Sequence, residues 1–132
     1  MSGELDLQRL LSSFEAILVE GVYVFVTLSD NVVPANTSPR MIFQEEDGTT
    51  LILLQSEAQA VGLDYEFPSR MITLNVHSSL DAVGFIAHVA MRLAEKEMGV
   101  NPVAGFYHDH LFVPLGREQE AMNILKEIAE NA

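Results

Sequence analysis

The chain has 132 residues, 48% of them apolar and 20% charged. That is a globular composition, which excludes wholesale disorder and suits one compact unit or two very small halves. Nineteen Asp and Glu against seven Lys and Arg give a formal charge of −12, so nucleic acid and anionic membrane surfaces are poor partners. The absence of cysteine removes disulfides, thiolate metal sites and a cysteine nucleophile.

The opening MSGELDLQRL has neither a basic leader region nor a long apolar run, and no stretch has the length of a membrane span, so a cytoplasmic location is expected. Residues 1–66 hold eleven acids and two bases, and residues 67–132 hold eight and five. Any anion-binding face is therefore expected in the second half.

Leu7, Leu10, Leu11 and Phe14 fall at i, i+3, i+4 and i+7 and predict a short amphipathic helix over 5–14. Residues 15–28 end in GVYVFVTL, a β-branched and aromatic run that suits a buried strand. SDNVVPANTSPR (29–40) reads as a loop. Asp47-Gly48 between two apolar runs predicts a hairpin over 41–54. Ser56 and Gln59 have capping-box spacing for a short helix, with Gly62 as its left-handed terminator. Residues 63–69 read as a connector.

MITLNVH (71–77) predicts a strand. Ser78 and Asp81 have capping-box spacing for a helix that runs to Gly99, with Val83, Ile86, Ala87, Ala90, Leu93 and Ala94 as its buried stripe. Residues 101–107 and 111–115 predict a hairpin around His108-Asp109-His110. A last helix over 117–129 turns Ala121, Ile124, Leu125 and Ile128 inward.

The halves read as copies offset by 61 residues, with the 29–40 loop replacing one helix of the first and residues 5–14 supplying its missing cover. Each β-α-β-β-α unit lacks one strand of a ferredoxin-like β-α-β-β-α-β pattern. The expected class is α+β. It comprises two half-domains (1–66 and 67–132) that exchange strands, with antiparallel sheets carrying helices on one face.

"ITLNVHSSLDAVGFIAHVAMRLAEKEMGVNPVAGFYHDHLFV" (72–113) resembles an ACT domain: strand, short polar loop, apolar–Gly–apolar helix, glycine turn and hairpin. The tandem is similar to the regulatory region of aspartate kinases. With "HSSLDAVG" and "VAGFYHDHLFVP" it also resembles small stand-alone bacterial paired-ACT proteins. The resemblance implies a cytoplasmic regulatory protein that binds a small molecule, an amino acid by family habit, without catalysis or cofactor. It also implies a homodimer, because ACT units generally pair edge to edge. Family members are usually fused to the domain they regulate, so the output here would be an unidentified protein partner.

The candidate ligand-binding residues are His77, Ser78, Ser79, Leu80, Val83, Gly84, Tyr107, His108, Asp109 and His110. Ser78 and Ser79 at a helix N-terminus either present open amides to a carboxylate or simply cap the helix. Gly84 in a first turn costs about 1 kcal/mol relative to alanine, which points to a close approach by a ligand or to tight packing. His108 and His110, with His77, either contact a ligand or are turn residues around Asp109. Three imidazoles could hold zinc, but polar residues are expected at a hairpin tip anyway, and no metal is assigned. The 29–40 loop with Arg40 offers further hydrogen bonds. The acidic tip Glu45-Glu46-Asp47 reads as solvated. No catalytic motif is found: no G-x-S-x-G, Walker A, G-x-G-x-x-G or H-E-x-x-H. The rival reading is a protein–protein interaction module with no ligand.

Overall fold

The computed structural model describes residues 3–132. The chain forms two compact units, residues 21–69 and a discontinuous unit made of the N-terminal 20 residues with 70–132.

The discontinuous unit carries α1 (Leu7–Ser13), β1 (Glu15–Leu18), the later part of β5 (Glu66–Asn75), α3 (Phe85–Ala94), β6 (Asn101–Ala104), β7 (Asp109–Pro114) and α4 (Glu118–Glu130). β1 pairs antiparallel with β5, Glu15 opposite Asn75 and Leu18 opposite Ile72. β7 lies on the other side of β5, with β6 beyond it. A strand from the first half thus completes a sheet of the second, the exchange that the incomplete patterns require. The family-type fold, antiparallel sheet with helices, follows from it.

Periodicity explains the packing. Ala121, Ile124, Leu125 and Ile128 on α4 are all buried, and they meet Leu10, Leu11, Phe14, Ile72, Leu74, Val89, Leu93, Leu111 and Val113 in one core. Each fully buried Leu or Ile contributes about 1.5–3 kcal/mol by leaving water. α1 is capped by Asp6, whose carboxylate accepts from the Arg9 amide at 3.0 Å. It packs on α3 and α4. It therefore covers the unit of the second half, not the first as its position in sequence suggested.

The other unit carries β2 (Tyr23–Leu28), β3 (Met41–Glu45), β4 (Gly48–Leu54), α2 (Gln55–Ala60) and the first residues of β5. Val24, Val26, Leu28, Leu51, Leu53 and Ala58 form its core. Gly62 at φ +71 ends α2 as expected, and Leu63 N–H donates back to the Ala58 carbonyl at 2.9 Å. Residues 29–40 are irregular.

Five local expectations are corrected. The β3–β4 turn is Glu46-Asp47, since Glu45 pairs with Gly48. Gly48 is needed for closeness, because a Cβ there would stand 2.7 Å from the Leu28 carbonyl oxygen. The Ser56 capping box does not form: Leu54 is the N-cap of α2 and no side chain caps it. β5 begins at Glu66, inside the expected connector. Tyr23 pairs with Ser69 and Phe25 with Glu66, so one extra residue bulges out of β5 where Phe67 takes φ +56. Pro68 sits in that bulge, where a missing amide is tolerated.

The helix expected to run from Ser78 to Gly99 instead spans Phe85–Ala94. Gly84 is its N-cap at φ +94, a backbone that Val83 could not continue from a preceding helical turn. The buried stripe is Phe85, Val89 and Leu93, and Val83 is 82% exposed. Lastly, Ala104 pairs with Asp109, so the hairpin tip is 105–108. Asp109 and His110 are strand residues of β7, not turn residues.

Candidate functional site

A cleft of about 170 Å³ in the discontinuous unit is lined by Ser78, Ser79, Leu80, Ala82, Gly84, Phe85, Ile86, Ala87, Ala104, Gly105 and Asp109. Three chain segments build it: the 76–84 loop, the first turn of α3 and the β6–β7 hairpin.

The loop is fixed by its own backbone. Ser78 N–H donates to the Val76 carbonyl at 3.0 Å, Ser79 N–H to the Glu4 carbonyl at 2.9 Å, and Ala82 N–H to the Ser79 carbonyl at 3.0 Å. The Ser79 hydroxyl accepts from the Asp81 amide at 3.1 Å. The serine amides expected to grip an anion are therefore already engaged.

The open donors lie seven residues further on. No side chain caps α3, and its first internal bond runs from His88 N–H to the Gly84 carbonyl at 2.9 Å. The amides of Phe85, Ile86 and Ala87 precede that bond. They carry the partial positive charge of a ten-residue helix into the cleft wall. Opposite in charge stands Asp109. Its carboxylate accepts from the Ser78 hydroxyl at 3.4 Å. Burial pushes the Asp109 carboxyl above its usual range, while the Ser78 hydroxyl and the charges of His110 and His108 pull it back.

Of the candidates from sequence, Ser78, Ser79, Leu80, Gly84 and Asp109 line the cleft, and His77, Val83, Tyr107, His108 and His110 do not. The histidines do not converge. His108 Nδ1 lies 3.3 Å from the Val76 carbonyl oxygen, and His110 Nδ1 shares a hydrogen bond with Thr73 Oγ1 at 3.0 Å. The His77 ring lies 5.6 Å from the Tyr107 ring and 6.2 Å from that of Phe106. Among the described residues, no group of three or more His, Asp or Glu could hold a metal ion, and no helix is long and apolar enough to cross a membrane.

Sequence reasoning missed Ala82, Phe85, Ile86, Ala87, Ala104 and Gly105. Phe85, Ile86 and Ala87 offer main-chain amides, which side-chain chemistry does not reveal. The signal was Gly84, out of place in a helix but suited to a left-handed N-cap. Gly105 must be small, since a Cβ there would stand 2.8 Å from the His108 carbonyl oxygen.

Family models of the ACT domain match residues 2–70 and 66–127. A Vibrio cholerae protein of unknown function, described as a possible transport protein, is 40% identical; the match covers 93% of this chain and 95% of that one, with a TM-score of 0.82. An Agrobacterium tumefaciens protein is 18% identical over 88% and 89% of the two chains, with a TM-score of 0.76. Escherichia coli aspartokinase III, solved with aspartate and ADP, is 14% identical over 86% of this chain and 32% of that one, at a TM-score of 0.64. The last two likenesses are of fold alone. No curated protein sequence matches the chain. With one family model after another spanning residues 2–127, the chain belongs to the ACT domain family.

Proposed function

We propose that this protein is a regulatory sensor that binds a small α-amino acid in the cleft and catalyses nothing. The observation that carries this reading is the pairing of opposite charges in one small cavity. Helix amides at Phe85–Ala87 suit a carboxylate, and the Asp109 carboxylate suits an ammonium. A zwitterion satisfies both ends; a simple anion would face Asp109 unpaired. At roughly 30 Å³ for each water-sized group, the space takes about five or six non-hydrogen atoms. That favours a short side chain, with Leu80, Ala82 and Ala104 as its apolar surroundings.

Membership in the ACT family and fold likeness to aspartate kinase regulatory regions support the regulatory role. The ligand would act by population shift, favouring whichever arrangement of the 76–84 loop and the β6–β7 hairpin meets both of its ends. Phe106 and Tyr107, 56% and 66% exposed at the hairpin tip, are the features best placed to pass that change to a protein partner.

Isothermal titration against the twenty amino acids tests the reading. Binding of one or a few small ones, lost when the amine is acetylated or the acid amidated, is the expected result. No heat from any of them at 10 mM would leave the interaction-module reading in its place.

A further inference from the structure

Among the described residues three strands have an unpaired edge: β3 and β6 at the ends of the strand order, and β1, which pairs with β5 alone. Two of these edges are blunted. β6 carries Pro102, which has no N–H to offer. β3 is irregular at its start, where the Arg40 amide reaches the Ile52 carbonyl at 2.7 Å although Met41 is the residue opposite Ile52. β1 reads Glu15-Ala16-Ile17-Leu18, without the proline, lysine or bulge that blunts an edge.

The register of β1 is plain. It runs without a shift from Glu15 opposite Asn75 to Leu18 opposite Ile72, and Val19 N–H then donates to the Met71 carbonyl at 2.9 Å. Val19 therefore faces β5, and by alternation Ile17 and Glu15 do so too. The main-chain N–H and C=O of Ala16 and Leu18 point the other way, to the open edge.

A cavity stands beside that edge. It holds about 410 Å³ between β1 and α4, over Phe14, Ala16, Met122, Leu125 and Ala129, a volume within the range of about 300–1,000 Å³ that binding pockets take. In an added strand, the residue opposite Ala16 projects to the same face as Ala16, the face that packs on the helices, and so into the cavity. The residues opposite Glu15 and Ile17 project to the other face, where Ile17 is 40% exposed and Glu15 is exposed as well.

Charge sets the chemistry of the occupant. Glu15 and Glu130 border the cavity and form no ion pair among the described residues, and only one ammonium, that of Lys126, stands against them. The chain as a whole carries −12. A basic segment is drawn to this edge and an acidic one repelled.

We propose that β1 is a docking edge for an extended, basic segment of another protein, which adds to it as an antiparallel strand. Ala16 and Leu18 supply the main-chain hydrogen bonds. A large apolar side chain opposite Ala16 fills the cavity, a β-branched one covers Ile17, and Lys or Arg opposes Glu15. Strand addition of this kind takes its affinity from the main chain and its selectivity from alternate side chains. The antiparallel sense is the more stable pairing. The surface is separate from the amino-acid cleft and does not depend on it.

The probe is the blocked peptide acetyl-Thr-Val-Leu-Lys-Thr-amide, which sets Leu opposite Ala16 and Lys opposite Glu15. A contact this short lies at the weak end of specific interfaces, so it is titrated to about 5 mM. Amide NMR should show saturable shifts led by Ala16 and Leu18, whose amides gain protection from exchange, while the Phe85–Ala87 amides stay unmoved. Exchanging the peptide's Lys for Glu should weaken binding about threefold or more, the size of a cross-strand charge effect. Glu15→Lys should reverse that preference. Ala16→Pro removes an outward amide and none that bonds β5, so it should abolish binding of either peptide. The proposal is overturned by peptide shifts that are absent from Ala16 and Leu18 or led by another surface, or by a charge preference that Glu15→Lys leaves unchanged. It is equally overturned if those two amides move with protein concentration alone, since a second copy then takes the edge. Leucine amide moving them as strongly as the peptide would also overturn it, since the cavity then serves a small molecule.

Discussion

Ser79 gives its amide to the carbonyl of Glu4, 2.9 Å away, while the Glu4 amide reaches the His77 carbonyl at 2.8 Å. Glu4, in an isolated parallel bridge to Ser78, therefore laces the loop that borders the cleft, and the Ser79 amide is spent in the process. Gly3 lies tight against the same loop: a Cβ at its φ of +95 would stand 2.6 Å from the Ser79 nitrogen. Gly3→Ala is expected to break this lacing, at a cost of about 1–3 kcal/mol or whatever smaller amount detaching the segment requires. Hydrogen exchange checks it directly: the Ser79 amide should lose protection while the α4 amides keep theirs.

Gly84→Ala acts on the cleft itself. The nearest atom to an added Cβ is Leu7 Cδ2 at 3.5 Å, an ordinary contact, so the strain is all in the backbone at φ +94. A left-handed alanine costs about 1–2 kcal/mol, and relief would turn the first turn of α3 away from its place. Urea denaturation should show that loss. Amino-acid affinity should fall more steeply than stability alone explains, by tenfold or more.

Much of the fold was legible in the sequence because side chains carry it. The stripes of α1 and α4, the β2 run, the 29–40 loop and the Gly62 terminator all follow from apolar spacing or from conformations that one residue type favours. Illegible features were those in which the main chain overrode the pattern. Val83 fits the period of α3 well, and only the sign of φ at Gly84 keeps it outside. Residues 63–69 read as a connector, yet a bulge at Phe67 and Pro68 lets β5 begin at Glu66. At the cleft, Asp109 was read in the sequence as the turn of its hairpin, because a hairpin tip and a strand start two residues later look alike. Of the residues that line the cleft, Ser78, Ser79, Leu80, Gly84 and Asp109 could be picked out by their side chains or by glycine, whereas the helix amides of Phe85, Ile86 and Ala87 could not.

Asp109 should link binding to pH. Its carboxyl lies above the usual value of 3.8 because burial disfavours the charge. The folded state thus holds that proton more tightly than the unfolded chain does. The associated stability is present below 3.8 and is lost as pH rises through the raised value. Asp109→Asn should remove that loss, so that its melting temperature exceeds wild type at pH 7 and the difference closes in acid. A ligand ammonium favours the ionised carboxylate, so wild-type affinity should rise with pH across the same window. Asp109→Asn should bind weakly, without that dependence. Melting curves and titrations at pH 3.5–7 check both.

Glu118 titrates in the opposite sense. Its own amide and that of Gly116, then Arg70, hold the carboxyl below its ordinary value of 4.5. Gly116 N–H donates to it at 2.6 Å, and Arg70 Nη1 donates at 3.3 Å. Arg70 in turn donates from Nη2 to the Val19 carbonyl at 3.2 Å, so the pair ties β5 to α4. The stability it brings is present above pH 4.5 and is lost as pH falls through the depressed value. Glu118→Gln should cost about 1–2 kcal/mol at pH 7, and the gap from wild type should narrow below pH 4.

The most direct test of the cleft as an amino-acid site is an amide NMR titration with whichever amino acid calorimetry identifies. The account predicts saturable shifts led by the Phe85, Ile86 and Ala87 amides, with Gly105 and Asp109 following, all at the calorimetric affinity. Saturable binding that leaves those three amides unmoved would contradict it.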